Sequence, residues 1–287
     1  MIYKKHNIAG SVILYNSEIQ VVANINSYLA QINHLFVIDN SEVINNRLAE
    51  QIKMAPNITY TFNGANLGVA HALNQAATMA IKAGYQFLLT MDDDTYFPEI
   101  GVQKMLNYVN QYGTKKLGIL AAQSDPQLFN NTTKQVPYAI TSGSLLNLLA
   151  YKECGPFMND LFIDFVDHEY CFRLEKCGYK IVEINYVQLN HQLGKKKQLV
   201  FFGYKFPIYW TSHNPLRIYY KTRNCIFSLK KHSFVQISVK YIFYKDVLKD
   251  LLKIIFLEDR KRKRILLFIK GLHDGLTDSL GKRNFEL

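Results

Sequence analysis

Long apolar runs are missing from this 287-residue chain. No stretch approaches the roughly 18 uninterrupted apolar residues that a membrane-spanning helix needs, so none is expected. The four cysteines, Cys154, Cys171, Cys177 and Cys225, offer no Cys-x-x-Cys pair and no zinc-ligand spacing. A disulfide framework would be denser, so reduced structural thiols of a cytosolic protein are expected. Two lysines stand near the start, in Met1 to Asn7, with neither a long apolar run nor a small-residue cleavage site behind them. No secretion signal is expected. Repeats and low-complexity tracts are also lacking. Charged residues make up 20% and hydrophobic residues 48%. That balance excludes disorder and fits one large domain, or one domain with an appendage.

What the chain has in excess is positive charge: 34 Lys and Arg against 23 Asp and Glu, a net of +11. Such a net invites a polyanion, either nucleic acid or an acidic membrane surface. The distribution is uneven. Residues 1–194 hold 13 basic and 16 acidic residues, a net of −3, whereas residues 195–287 hold 21 and 7, a net of +14. The shift falls near Gly194-Lys195-Lys196-Lys197. A near-neutral body with a basic appendage is the reading.

Strand-like and helix-like segments alternate along the body. Ile8 to Tyr15, Leu35 to Ile38, Ile58 to Phe62 and Gln86 to Met91 read as strands. Ser17 to Ile32 and Asn66 to Lys82 read as helices, the second stopped by Gly84. This alternation implies βαβ units and a mainly parallel sheet, an α/β fold. Ligands of such sheets bind beyond the carboxyl ends of the strands. Two strands end there in polar residues, at Asp39-Asn40 and at Asp92-Asp93-Asp94.

Three adjacent carboxylates repel one another unless a cation or solvent offsets them. Residues i and i+2 of an extended chain point the same way, so Asp92 and Asp94 can address one ligand. Hard oxygen ligands suit Mg²⁺ or Mn²⁺ beside phosphates; a solvated acidic turn is the plainer alternative. A second acidic cluster, Asp164, Asp167 and Glu169, lies among Phe162, Ile163, Phe165 and Val166, with Arg173 beyond. Apolar surroundings raise a carboxyl pKa, as a general base requires. The alternative is a helix N-terminus with acids on its dipole. His191 could complete a divalent site as neutral imidazole, or be structural. Ser142-Gly143-Ser144 could place backbone N–H groups near an acceptor, or be a turn.

Together these stretches resemble the family-2 inverting glycosyltransferases of GT-A fold, most closely their bacterial rhamnosyltransferase branch. The matching segments, in order, are Val12 to Asn16, Val37 to Ser41, Asn66 to Ala70 with Leu73-Asn74, and Met91 to Thr95. They continue with Thr141 to Ser144, Leu161 to Glu169, Asn190 to Gly194, and His213 to Tyr220 with Arg223-Asn224. The resemblance covers about residues 8–226. It implies that Asp39 bonds the pyrimidine base of a sugar nucleotide, with Asn16 and Asn66 lining that pocket. Asp92 and Asp94 match the metal-associated pair, Asp94 touching the metal and Asp92 or Asp93 the ribose or sugar. His191 matches a metal-binding histidine found in part of the family. Asp167 matches the general base, six positions before Arg173, with Val166 where other branches have glutamate. Glu169 matches the next acidic position, and Asp164, Arg173, Ser142 and Gly143 stand around the acceptor or behind the site.

The implied reaction is one inverting displacement at the anomeric carbon, so the absence of a nucleophile motif is no objection. Mg²⁺ or Mn²⁺ would offset phosphate charge. The stretch Phe162 to Asp167 with His213-Asn214-Pro215 favours dTDP-L-rhamnose; UDP-galactofuranose, UDP-galactose and UDP-GlcNAc are the alternatives. The implied division is residues 1–226 as the GT-A domain, with a nucleotide-sugar half of about 1–120 and an acceptor half of about 121–226. Residues 227–287 form a basic amphipathic helical region.

In that region Tyr241 to Leu257 places Lys245, Asp246, Lys249, Asp250 and Lys253 on one helix face and apolar residues elsewhere. Five cations follow, Arg260 to Arg264, and then apolar Ile265 to Ile269. The pattern suits an anionic membrane interface, and hence a cytoplasmic protein bound peripherally to the inner face of the cell membrane, with a lipid-linked saccharide acceptor. Packing on the catalytic domain or in a homo-oligomer is the alternative. The aromatics here fall in apolar helical patterns, not on an exposed stacking platform, so nucleic acid is not expected as a partner. Both acidic clusters argue against an inactive assembly partner.

Overall fold

The computed structural model describes residues 2–191, 195–201, 204–212 and 214–285. Gln192, Leu193, Gly194 and His213, which belong to matched segments, lie outside the described residues. The chain divides into two compact units, residues 1–159 with 167–191, and residues 160–166 with 192–287.

The first unit is built on an eight-stranded sheet. Its elements are β1 (Ile8–Leu14), α1 (Val21–Leu29), β2 (His34–Asp39), α2 (Asn46–Lys53), β3 (Ile58–Phe62), α3 (Val69–Lys82), β4 (Phe87–Asp92), β5 (Thr95–Tyr96) and α4 (Gly101–Tyr112). There follow β6 (Leu117–Gln123), β7 (Thr133–Val136), β8 (Ser144–Asn147), α5 (Leu148–Cys154), α6 (Val166–Lys176), β9 (Lys180–Gln188) and β10 (Asn190–His191). Strand order is β3-β2-β1-β4-β8-β6-β9-β7. β3, β2, β1 and β4 run parallel, as do β6 and β9, while β8 is antiparallel to both β4 and β6. The mainly parallel α/β sheet is therefore present, with β8 inserted antiparallel and β7 antiparallel to β9 at the edge.

Central strands covered on both faces must be apolar throughout. β1 is buried along nearly its whole length, and Val12, Leu89 and Met91 meet Ile25, Tyr28 and Val102 of the flanking helices in one core. α3 buries Ala70, Ala72, Ala76, Ala77 and Ala80, whose small side chains let a helix approach the sheet closely. All four cysteines are free thiols.

In the second unit a hairpin, β11 (Lys195–Phe201) and β12 (Tyr204–Ser212), precedes three helices: α7 (Pro215–Lys231), α8 (Ile237–Phe256) and α9 (Lys261–Leu276). Gly271 and Gly275 of α9 press on α7. An added Cβ would stand 2.7 Å from the Tyr219 carbonyl oxygen and 2.6 Å from that of Arg223. Only glycines one turn apart permit this approach. Among the described residues no helix is long and apolar enough to cross a membrane.

The polar face expected on α8 is not uniformly solvated. Asp250 turns inward to Lys221 at 2.5 Å, and Lys253 lies 3.8 Å from buried Glu258. Arg264, the fifth cation of the basic run, is buried and pairs with Glu258 at 3.2 Å and Asp259 at 3.0 Å. These pairs turn α8 so that Ile237, Tyr241, Tyr244, Leu248, Leu252 and Ile255 face outward, all exposed.

Candidate active site

Parallel register brings two acidic strand ends to one edge of the sheet. Leu14 of β1 pairs with Asp39 of β2, and Ile13 of β1 pairs with Asp92 of β4. Strands lie about 4.8 Å apart, so the backbones that carry these two aspartates stand on either side of β1, roughly 10 Å apart.

Asp39 is buried. Its Oδ1 accepts from the Ser41 backbone N–H at 2.9 Å, and its Oδ2 accepts from the Tyr60 hydroxyl at 2.5 Å. Burial, then the hydrogen bond and charge of Asp39, push the Tyr60 phenol well above its ordinary pKa, so it stays a donor. Asn16 takes up a left-handed φ of 52°, and its N–H donates to Ser41 Oγ at 2.9 Å. Asn16, Asp39 and Ser41, with Leu14, Ser17, Val43, Asn45 and Leu48, line a cleft of about 230 Å³. Sites for whole drug-sized ligands run to about 300–1,000 Å³, so this cleft suits one end of a longer ligand. Asn66 stands apart from this lining: its Oδ1 accepts from the Gly68 N–H at 3.0 Å, setting up the start of α3.

The acidic triplet at the end of β4 splits in two directions. Asp92 and Asp94 turn to His191, whose Nε2 lies 3.8 Å from Asp92 Oδ2 and 3.5 Å from Asp94 Oδ1. A ligand atom from each of the three falls within 4.8 Å of the others. The pairing of β5 with β10, His191 opposite Thr95, fixes this approach. Two carboxylate oxygens and one imidazole nitrogen fit a divalent cation that accepts mixed O and N ligands. Asp93 instead faces α1. Ser17 donates to its carboxylate, and Asn24 Nδ2 donates to its carbonyl at 2.7 Å. Burial and the charge of Asp94 raise its pKa, against the Ser17 bond.

Ser142 and Gly143 brace the triplet from below. Ser142 Oγ accepts from the Asp92 N–H at 3.0 Å and donates to Thr95 Oγ1 at 2.9 Å. The Gly143 N–H goes to the Thr90 carbonyl at 2.8 Å, so it is spent inside the sheet and does not face an acceptor. Gly143 has φ 71°, and a Cβ would lie 2.5 Å from Leu189 Cδ2.

The first turn of α6 carries Asp167 and Glu169. Apolar surroundings were expected to raise the Asp167 pKa. Burial does push it up, but the charge and hydrogen bonds of His168 outweigh burial, and the net shift is downward. The His168 backbone N–H donates to Asp167 Oδ1 at 2.9 Å, and His168 Nδ1 lies 2.7 Å from the same oxygen. The His168 ring rests on Tyr138 at 4.6 Å. Glu169, two residues on, is fully buried and bonded by Arg173 Nε through both oxygens at 3.0 Å. Arg173 Nη1 also donates to the Cys154 carbonyl at 2.9 Å. In the second unit, Asp164 is gripped by Arg217 at 2.5 and 3.2 Å.

Sequence reasoning gave no roles to Tyr60, Ser41, Ser17, Asn24 or His168. Ser41 and His168 each stand within two residues of a singled-out aspartate, which is the available signal. Tyr60 and Asn24 come from remote elements and carry none.

Residues 11–153, about half of the chain, match the family model described as Glycosyl transferase family 2. The chain is similar to dTDP-rhamnosyl transferase RfbF of Shigella flexneri, 24% identical over 262 residues, 83% of this chain and 85% of that protein. Among solved structures it is similar to S. aureus TarS, with TM-score 0.60 and 14% identity over 94% of this chain and 48% of that one. A second similar structure is GalNAc-T7 with UDP, GalNAc and Mn²⁺, with TM-score 0.58 and 12% identity over 94% of this chain and 56% of that one. This chain thus spans about half the length of those two proteins, and at such identities the likeness concerns the fold.

Proposed function

This chain belongs to glycosyl transferase family 2 and has the GT-A fold, and we propose from that premise that it moves L-rhamnose from dTDP-L-rhamnose. The acceptor in this reading is a saccharide or lipid-linked saccharide of bacterial surface polysaccharide synthesis. The observation that carries the reading is the meeting, at one sheet edge, of the Asp39 cleft and the Asp92–Asp94–His191 group. Their separation of roughly two strand spacings suits a nucleoside at one end and a diphosphate at the other. The rhamnosyl donor is supported by the similarity to a dTDP-rhamnosyl transferase.

In this reading residues of about 1–120 hold the donor and about 121–226 the acceptor. Asp39 accepts from the pyrimidine base, with Asn16 beside it; Asn66 shapes the neighbouring loop. Asp93 and Asp92 serve the ribose or sugar. Asp92, Asp94 and His191 hold Mg²⁺ or Mn²⁺, whose charge offsets that of the departing diphosphate. Asp167 takes the proton of the acceptor hydroxyl as that oxygen bonds to the anomeric carbon and the bond to the diphosphate breaks. His168 occupies Asp167 Oδ1, which directs Oδ2 to that proton. Ser142, Gly143, Glu169 and Arg173 stand behind the reacting groups and support them, and Asp164 braces its own loop through Arg217.

Residues 227–287 supply a membrane contact in the same reading. The outward apolar stripe of α8 is flanked by exposed Lys245 and Lys249, and Arg260 to Lys263 follow it. Each cation near an anionic surface contributes about 1 kcal/mol. In this reading the protein works at the cytoplasmic face of the cell membrane, and the exposed stripe with its cations supports that. A panel of dTDP- and UDP-sugars with Mn²⁺ tests the donor by thermal shift and nucleotide release. Stabilisation by dTDP-L-rhamnose is expected, following RT ln(1 + [L]/Kd). Stabilisation by UDP-sugars alone overturns the donor, and no response to any sugar nucleotide overturns the function.

A further inference from the structure

The seven residues Asp160 to Val166 follow an unusual path. Phe162, Asp164 and Phe165 have φ of 66°, 62° and 64°, in the left-handed region that costs L-residues free energy and bulky ones most. Such backbone persists only where its surroundings over-determine it, and it clusters at functional sites.

What holds it are two consecutive, fully buried residues of α7, Arg223 and Asn224. Asn224 Nδ2 donates to three carbonyls of the loop, those of Leu161 at 2.9 Å and of Ile163 and Asp164 at 2.8 Å each. Its Oδ1 accepts from Arg223 Nε at 2.8 Å. Arg223 Nη2 bonds the Asp160 and Leu161 carbonyls at 3.2 and 3.1 Å, and Nη1 bonds that of Gly281 at 2.6 Å. The guanidinium lies against the rings of Tyr219 and Tyr220. These partners of a buried cation are carbonyl dipoles and ring faces, an expensive arrangement for fold stability alone. Arg217, two turns before Asn224 on the same face of α7, grips the Asp164 side chain. Val166 closes the loop and is also the first residue of α6, with Asp167 the second.

We propose that Arg223 and Asn224 are positioning residues for glycosyl transfer: by pinning the carbonyls of the left-handed loop they fix, along the continuous chain, the first turn of α6 and the Asp167 carboxylate. The proposal rests on the reading of Asp167 as the general base. Misplacing a reacting group by about 1 Å can cost on the order of a hundredfold in rate.

Asn224→Asp keeps the side chain's size but replaces the donor with a carboxylate facing three carbonyls. In the full-length protein it is expected to lower kcat ten- to a hundredfold while the donor KM and donor-induced Tm shift change less than twofold. In an Asp167→Asn background the same substitution is expected to lower the residual rate less than twofold, since the base it serves is gone. An unchanged kcat in folded Asn224→Asp, or an equal loss in both backgrounds, overturns the positioning role and leaves the base assignment standing. Full transfer by Asp167→Asn alone overturns the base, and the route through it. Should Asn224→Asp not fold by circular dichroism, Arg217→Gln, half exposed on α7, gives the answer: a threefold or larger fall in kcat at constant donor KM supports the proposal, and an unchanged kcat overturns it.

Discussion

Replacing Arg173 with methionine should destabilise the unit that carries α6 far more than it alters donor binding. Glu169 has no exposed surface, and its carboxylate accepts from Arg173 Nε through both oxygens. Arg173 also bonds the Cys154 carbonyl and rests on the Tyr170 ring at 5.0 Å. Methionine keeps the packing volume but strands a buried carboxylate. Breaking one side of a buried pair costs about 3–5 kcal/mol. At about 2–4 °C of Tm per kcal/mol for a unit of this size, that is a drop of roughly 6–20 °C. The double replacement Glu169→Leu with Arg173→Met removes both charges and should recover most of the loss, because replacing a buried pair by apolar residues is often neutral. Differential scanning calorimetry of the four proteins closes the cycle. A single mutant that keeps its Tm but loses kcat refutes the argument, because Arg173 would then be contacting substrate and not bracing the helix.

Four further outcomes follow from the same geometry. His168→Gln removes the charge that holds the Asp167 carboxyl below its ordinary pKa, while burial, which raises it, stays. The acid limb of kcat/KM against pH should move to higher pH, and a limb that stays or moves lower contradicts the pairing. The same lowered pKa contributes stability above the unfolded pKa that is lost as pH falls through the folded one. Chelation with EDTA should abolish turnover, with Mn²⁺ or Mg²⁺ restoring it in the natural protein and less so in His191→Ala; turnover after thorough chelation would remove the metal role. Gly143→Ala forces a Cβ to within 2.5 Å of Leu189 at a φ of 71°. Strain and overpacking should together cost about 2–5 kcal/mol, read as a Tm drop. Leu248→Glu with Leu252→Glu should leave the protein at the bottom of a flotation gradient with anionic liposomes. Flotation unchanged, or a dimer lost in place of flotation, would reassign the α8 stripe.

Strand and helix positions in the first half were legible because each segment has one dominant period and a clear stop. Ile58–Phe62 is the strand that was expected, residue for residue. The helix expected from Ser17 starts only at Val21, since the Ser17 hydroxyl accepts from the Tyr15 N–H and donates to Asp93 instead of opening a helix. The helix expected from Asn66 starts at Val69, because Asn66 folds back on the Gly68 N–H and Gly68 takes φ 90°. Such short side-chain-to-backbone bonds compete with helix and leave no periodic trace. The strands of residues 117–123, 144–147 and 180–188 went unread, since brief buried runs have no period that separates strand from helix. Within the site, Asp92, Asp94 and His191 could be singled out by residue type, yet their meeting depends on β5 pairing with β10 across almost a hundred residues. The direction of the Asp167 shift was misread for a like reason. Burial is visible in the pattern of neighbours, but a histidine folding onto the preceding carboxylate is not.

The basic surplus of the last third has a different character once its ion pairs are placed. Lys221, Lys253 and Arg264 are committed to Asp250, Glu258 and Asp259 inside the second unit. Those charges orient helices and are not available to a partner. Turning Asp250 and Lys253 inward has a necessary counterpart on a helix of 3.6 residues per turn. The arc opposite them must face outward, and on α8 that arc carries Ile237, Tyr241, Tyr244, Leu248, Leu252 and Ile255. An apolar stripe held outward by part-buried ion pairs cannot be withdrawn by rotating the helix without parting Asp250 and Lys253 from their partners. The stripe is thus a fixed surface, edged by the cations that remain outside, Lys245 and Lys249 on α8 and Arg260 to Arg262 after it. Under the proposed membrane contact, an anionic lipid surface would cover both the apolar face and its cationic rim, whereas a polyanion without an apolar layer would leave the stripe uncovered.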